Sequence, residues 1–284
     1  MTISINNQPV DITLDTEKTL GDVLSGLEQW VSQGGNRIRK VSVNGKDVPE
    51  DALTAAFNIK VEDIENLDIV VSSYRELAAE ALNYLHETCT LYGNAAFEER
   101  VNINAQWEKS AAACFLASDI PDVYDLATRS FSGEGLLVSN LAILVEERFR
   151  EITDPCGEVN NSEALVKDIT QRMEEFSLDI QTGKDKRAAE TMQLFSQMGE
   201  KLFRIFFIHK SDGLSLDTFI IDKLPVHTFM GEFNTALKEL SLAYENRDTV
   251  LAGDMAEYEL APRLLKFFEA LKSITVSNFP VISV

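Results

Sequence analysis

The sequence predicts an α+β protein in two parts, a small sheet domain over residues 1–72 and a larger all-α helical bundle over residues 73–284. Three observations carry this. Alternating polar and apolar residues mark short strands at residues 2–5, 11–14, 40–43 and 67–71. One amphipathic helix interrupts them, with Leu20, Val23, Leu24, Leu27 and Val31 at helical spacing. Beyond Tyr74 the strand signal fades, and apolar residues recur every three or four positions.

Asn6-Asn7-Gln8-Pro9 has turn chemistry and makes the first two strands a hairpin. Thr19 opens the helix as its N-cap, with Asp22 at the capping-box position, and Gly34-Gly35 closes it. Asn44-Gly45 is a second hairpin turn. Strand, strand, helix, strand, short excursion, strand is the β-grasp (ubiquitin-like) order. Alternation turns Ile3, Ile5, Ile12, Leu14, Val41, Val43, Leu67, Ile69 and Val71 toward the helix. It leaves Thr2, Ser4, Asp11, Thr13, Ser42, Asp68 and Val70 on the open face. That face is nearly all polar and lacks the apolar patch that marks many interfaces. Hydrogen bonds and charge are left to it, or docking of the chain's own remainder.

Three stretches, ISINNQPVDI, VSVNGKDVP and VEDIENLDIVV, resemble sulfur-carrier proteins of the β-grasp group. The resemblance covers residues 1–72. It implies the fold and, in that group, a terminal diglycine whose carboxylate does the chemistry. Here Ser73-Tyr74-Arg75-Glu76 stands in that place and the chain runs on. The segment QWVSQGGNRIRK is also longer than a compact carrier needs.

In the remainder, Ser73 is the N-cap of a helix in which Leu77, Ala81, Leu85 and Cys89 stack at four-residue spacing. Further helices are expected at residues 97–117, 122–131 and 136–152. A loop at 156–162 follows, with Ser162 as the next N-cap. Three long helical stretches complete the chain, at 163–181, 184–209 and 225–271, with Pro262 interrupting the last. A weak repeat aligns 163–209 with 229–273 as two αα-hairpins. Glu175 falls on Glu239, Ser177 on Ser241, Leu178 on Leu242, Ala188 on Ala252 and Phe203 on Phe267. The late phenylalanines read as core. The apolar tail TVSNFPVISV could pack on the bundle, pair as an edge strand or enter a partner.

Composition excludes several classes. The net charge is −20, with 12 acidic and 6 basic side chains in residues 1–72 and 34 and 20 in the rest. No basic stripe serves nucleic acid, and an anionic membrane surface is disfavoured. No apolar run reaches the roughly 18 residues that span a bilayer, and no signal peptide is seen, so a cytoplasmic location is expected. Cys89, Cys114 and Cys156 form no CxxC pair, and Cys89 and Cys114 read as packed thiols. Neither Gly45-Lys46 nor Gly183-Lys184 completes a P-loop, and Gly133-x-Gly135 is an isolated pair. GxSxG and HExxH are absent. The positions three before His86, His209 and His227 are Asn83, Phe206 and Leu224, so di-iron ligation fails. No catalytic residue, metal or cofactor is therefore expected.

The leading expectation is a non-enzymatic cytosolic adapter or regulatory protein acting by protein–protein interaction. The alternatives are a small-ligand protein or enzyme with a pocket in the helical part, and a structural subunit of a larger assembly. The acidity either keeps the chain soluble or faces a basic protein partner. Two acidic corners are the candidate recognition residues, Glu245 with Asp248, and Asp254 with Glu257 and Glu259.

Overall fold

The structure, a computed structural model, describes residues 1–14, 16–33, 35–211 and 219–275. It divides into two compact units, Met1–Ala142 and Ile143–Val284.

The first unit opens with a five-stranded sheet: β1 (Thr2–Ile5), β2 (Gln8–Val10), β3 (Asn36–Val43), β4 (Lys46–Val48) and β5 (Asn66–Ser73). The order is β2-β1-β5-β3-β4, with β1 and β5 parallel and the other pairs antiparallel. This is the β-grasp order. Helix α1 (Leu20–Gln33) packs on one face, and α2 (Glu50–Ala56) with a 3-10 turn at Val61–Asp63 fills the excursion before β5. Ile3, Val41, Leu67 and Ile69 are buried against Leu20, Val23, Leu24 and Leu27 of α1, with Ile5, Leu14, Val43 and Val71 half-buried beside them. The capping box forms with Asp22: its N–H donates to Thr19 Oγ1 (3.3 Å) and its carboxylate accepts from the Thr19 N–H (3.0 Å). Those bonds, led by the Lys18 N–H, hold the Asp22 carboxyl below its usual range.

The second strand lies earlier than the alternation predicts. It is Gln8–Val10, not residues 11–14. Asn6 and Asn7 both adopt positive φ (49° and 64°), making a two-residue hairpin turn that ends before Gln8. Pro9 then sits opposite Ser4 on an edge strand, where its missing N–H breaks no ladder bond. Ile12 lies outside the sheet and is exposed, contrary to its core assignment.

Four helices follow in this unit: α3 (Tyr74–Asn94), α4 (Phe97–Glu108), α5 (Ala111–Asp119) and α6 (Pro121–Phe131). The single helix expected at 97–117 is two, because Ser110 caps a new start. Its Oγ accepts from the Ala113 N–H (3.1 Å) and donates to the Trp107 carbonyl (2.7 Å). Trp107 is buried between Tyr84 and Phe131. Cys89 is packed, and burial pushes its thiol up to about 12, whereas Cys114 is exposed and not packed as expected.

Helix α7 (Val138–Thr153) crosses into the second unit, which continues with α8 (Pro155–Asn161), α9 (Glu163–Glu174), α10 (Phe176–Gln181) and α11 (Asp185–Ser211). A β6 (Ile220–Ile221) and β7 (Leu224–Pro225) hairpin leads to α12 (Val226–Glu245), α13 (Thr249–Asp254), a π-helical turn (Met255–Leu260) and α14 (Ala261–Thr275). The expected loop at 156–162 is helical. Pro155 suits the first helical position, and Asp154 Oδ1 accepts from the Gly157 N–H (2.8 Å). Ser162 is no side-chain cap, since its hydroxyl donates to the Glu158 carbonyl (2.7 Å). The hairpin was invisible because its strands have two residues each. Its turn uses Asp222 and Lys223 at positive φ (49° and 67°). The interruption expected at Pro262 falls just before it, in the π turn, which absorbs the donor that proline lacks.

Most of the late phenylalanines are core, but Phe207 is exposed and Phe279 lies outside the described residues. Phe195, Phe229, Phe233, Phe267 and Phe268 are buried, and Phe203 lies 5.1 Å from Phe267 between ring centres. The two corners of the repeat close alike. The Thr182, Gly183 and Lys184 N–H groups donate to the carbonyls of Leu178, Ile180 and Asp179. Those of Asn246, Arg247 and Asp248, each 64 residues on, donate to Leu242, Tyr244 and Ala243. Gly183 and Arg247 hold the left-handed position in each (φ 73° and 57°). Of the tail, residues 276–284 lie outside the described residues, as does Gly34 of the helix-ending pair.

Candidate interaction surface

The end of β5 is a helix cap. The Ser73 N–H donates to Glu76 Oε2 (2.7 Å), and the Glu76 N–H donates to Ser73 Oγ (3.2 Å). The strand therefore passes into α3 without a free residue between them.

The open face of the sheet satisfies itself. Register places Ser4 beside Asp68, Asp68 beside Ser42, and Ser42 beside Asp47. Ser4 Oγ donates to Asp68, and Ser42 Oγ donates to Asp47 Oδ1 (2.7 Å). Lys40 Nζ lies 2.7 Å from Asp47 Oδ2. Lys40, then Ser42, hold the Asp47 carboxyl below its usual range. Val70 is the apolar exception, 40% exposed.

The edge of the sheet is different. β4 pairs with Val41, Ser42 and Val43 alone. Among the described residues, no strand pairs with the outer side of residues 37–40. A bulge between Ile38 and Lys40 leaves Arg39 without a β5 partner. On one side of this edge, an apolar slot of about 330 Å³ is lined by Leu24, Glu28, Ile38, Val41, Leu53 and Phe57. On the other, a cleft of about 540 Å³ is lined by Arg37, Arg39, Glu80, Tyr84, Ser110 and Phe115. Ile38 borders both.

Arg37 is already committed. Its fork meets Asp119 at 2.9 and 2.5 Å and lies 5.9 Å over the Phe115 ring. Burial raises the Asp119 carboxyl, but the Arg37 fork and Ser118 outweigh it and hold it low. Arg39 meets Glu80 at 2.7 Å, with the side chains 48% and 47% exposed. Such a pair is worth well under about 1 kcal/mol and opens easily. Ala111 and Ala112, at the start of α5, line the same cleft and bring the positive end of a helix dipole to it. None of these residues was singled out from the sequence, although the R-I-R-K alternation in the overlong segment before β4 was the available signal.

Of the five acidic candidates, Asp248 and Glu259 line two other clefts, and Glu245, Asp254 and Glu257 line neither. Asp248 caps α13, accepting from the Leu251 N–H (3.1 Å), and lines a cleft of about 560 Å³ with Asp185 and Arg247. Glu259 pairs with Arg263, which also reaches Glu232 (3.4 Å), in a cleft of about 540 Å³. Glu257 accepts from Tyr258, which pushes that phenol up. Glu245 and Asp254 are exposed. Among the described residues, no group of three His, Cys, Asp or Glu could hold a metal, and no helix is long and apolar enough to cross a membrane.

A part-buried charge network ties α7 and α8 to α11. Arg204 grips both Glu151 oxygens at 2.8 Å, and Lys201 meets Glu158 (2.7 Å) and Glu147 (3.1 Å). Burial pushes the Glu151 carboxyl up to about 8, against Arg148 and Lys201. The Arg204 fork works against it too.

Fold and site together define a two-unit α+β protein, with a β-grasp domain ending in a helix cap and a second, helical unit. Residues 1–73 match the family model of the TP0873 N-terminal domain, and that match ends on the capping residue Ser73. Residues 158–270 match a domain of unknown function, DUF8042. No curated protein and no solved structure matches the chain.

Proposed function

We propose that this protein is a non-enzymatic adapter or regulatory protein of the cytosol that acts by protein–protein interaction. The observation that carries this reading is the outer side of residues 37–40 in β3, which no strand pairs among the described residues and which two clefts flank. The capped end of β5 speaks against carrier chemistry, despite the sulfur-carrier resemblance of the sheet domain. Affinity purification of the full chain from its native cell, with cross-linking, tests it. A reproducible protein partner cross-linked near the sheet domain is the expected result. Robust turnover by the purified chain, with no partner recovered, would overturn it.

A second reading, a small-ligand protein, has the cleft between the two repeat corners in its favour, with Asp185, Arg247 and Asp248 converging on it. A metabolite screen by thermal shift separates it from the first. Saturable stabilisation that Arg247→Ala removes supports a ligand there.

A further inference from the structure

We infer that the outer edge of β3 accepts an extended segment of another protein as an added strand, and that this segment alternates acidic and apolar side chains. The inference rests on the adapter reading and names the chemistry of the partner.

The backbone supplies the first requirement. An edge strand presents a row of N–H and C=O groups, and here β4 begins its pairing only at Val41. The stretch is short, so the contact is weak and reversible, as signalling contacts of small area are.

The flanking clefts supply specificity. Successive side chains of an added strand point to opposite faces. One set would meet the apolar slot between α1 and α2, floored by Leu24, Val41 and Leu53. The other would meet Arg39 and the start of α5. Arg39 exchanges Glu80 for an incoming carboxylate at little cost, because the present pair is half exposed. The α5 dipole favours the same charge.

A second copy of this chain fits poorly. Antiparallel pairing of two β3 edges about Ile38 would set Arg37 of one copy opposite Arg39 of the other. Like charges directly opposite are destabilising. A lysine-bearing strand meets the same objection.

The test uses the full chain and a fluorescein-labelled synthetic peptide whose core alternates glutamate and valine, read by anisotropy. Binding is expected. Methylating the peptide's backbone nitrogens at alternate residues, in either register, should weaken it in one of the two cases by roughly tenfold or more, because one edge of the peptide makes the ladder. Arg39→Glu should weaken the acidic peptide by roughly tenfold and admit a lysine–valine peptide. No binding, equal binding of both methylated forms, or indifference to Arg39→Glu overturns the inference. A dimer of the unmodified chain that protects the backbone amides of residues 37–40 from exchange also overturns it, in favour of self-pairing. If partners still co-purify with the Arg39→Glu chain, the strand-docking inference is lost and the adapter reading stands.

Discussion

Single residues decide where the sheet domain of this chain gives way to helix. Ser73 is the clearest case, because one hydroxyl and the Glu76 carboxylate close the start of α3 on the last residue of β5. Ser73→Ala should lower stability by about 1 kcal/mol, measured as a shift in the urea midpoint at unchanged slope. Glu151 is the buried counterpart in the second unit. Glu151→Ala takes the carboxylate from both the Arg204 fork and Arg148 and should cost about 3 kcal/mol, while Glu151→Leu with Arg204→Leu should recover only part of it, because Arg148 still lacks that carboxylate. Thermal unfolding of the single and double variants tests this, and a harmless single variant would contradict it. Glu163 carries a pH prediction. Lys167 first, and Lys272 of α14 second, hold its carboxyl down at about 2. The folded state thus favours the ionised form. Its contribution is present above the ordinary value of 4.5 and is lost as the pH falls toward 2. The stability difference between the native chain and Glu163→Gln should shrink over that window.

At the scale of elements, local chemistry explains which predictions held. Stripes of four or five apolar residues, as in α1 and α3, specified their helices from sequence alone. Caps decided the rest. Ser110 split one expected helix, and Asp154 with Pro155 made a helix of an expected loop. The β1–β2 hairpin slipped because Asn6 and Asn7 both accept positive φ, a conformational choice that composition does not announce. The edge of β3 was hidden for a different reason: whether a strand has a neighbour is a property of the sheet, and no window of sequence contains it. The repeat corners offer an element-scale test. A Cβ at Gly183 would touch nothing within 4 Å, so Gly183→Ala should cost about 1 kcal/mol through its left-handed backbone alone. Arg247→Gly, at the equivalent place in the second corner, should stabilise by a comparable amount. Opposite signs in paired urea titrations are the expected outcome, and equal signs would show that the corners are not equivalent.

For the whole molecule, charge and architecture point the same way. A chain of net charge −20 places an arginine and a helix start beside an unpaired strand edge, against its own average. The strand that ends its sheet domain runs straight into a capped helix, and on its open sheet face Ser4 and Ser42 already donate to Asp68 and Asp47. Among the described residues, no strand covers the outer side of residues 37–40, and there we place the docking of the proposed adapter's partner. Hydrogen–deuterium exchange of the full chain, free and with its purified partner, measures this most directly. Exchange at residues 37–40 should slow on binding, while the already paired residues 41–43 change little. Unchanged exchange at 37–40, with protection arising elsewhere in the chain, would contradict the account.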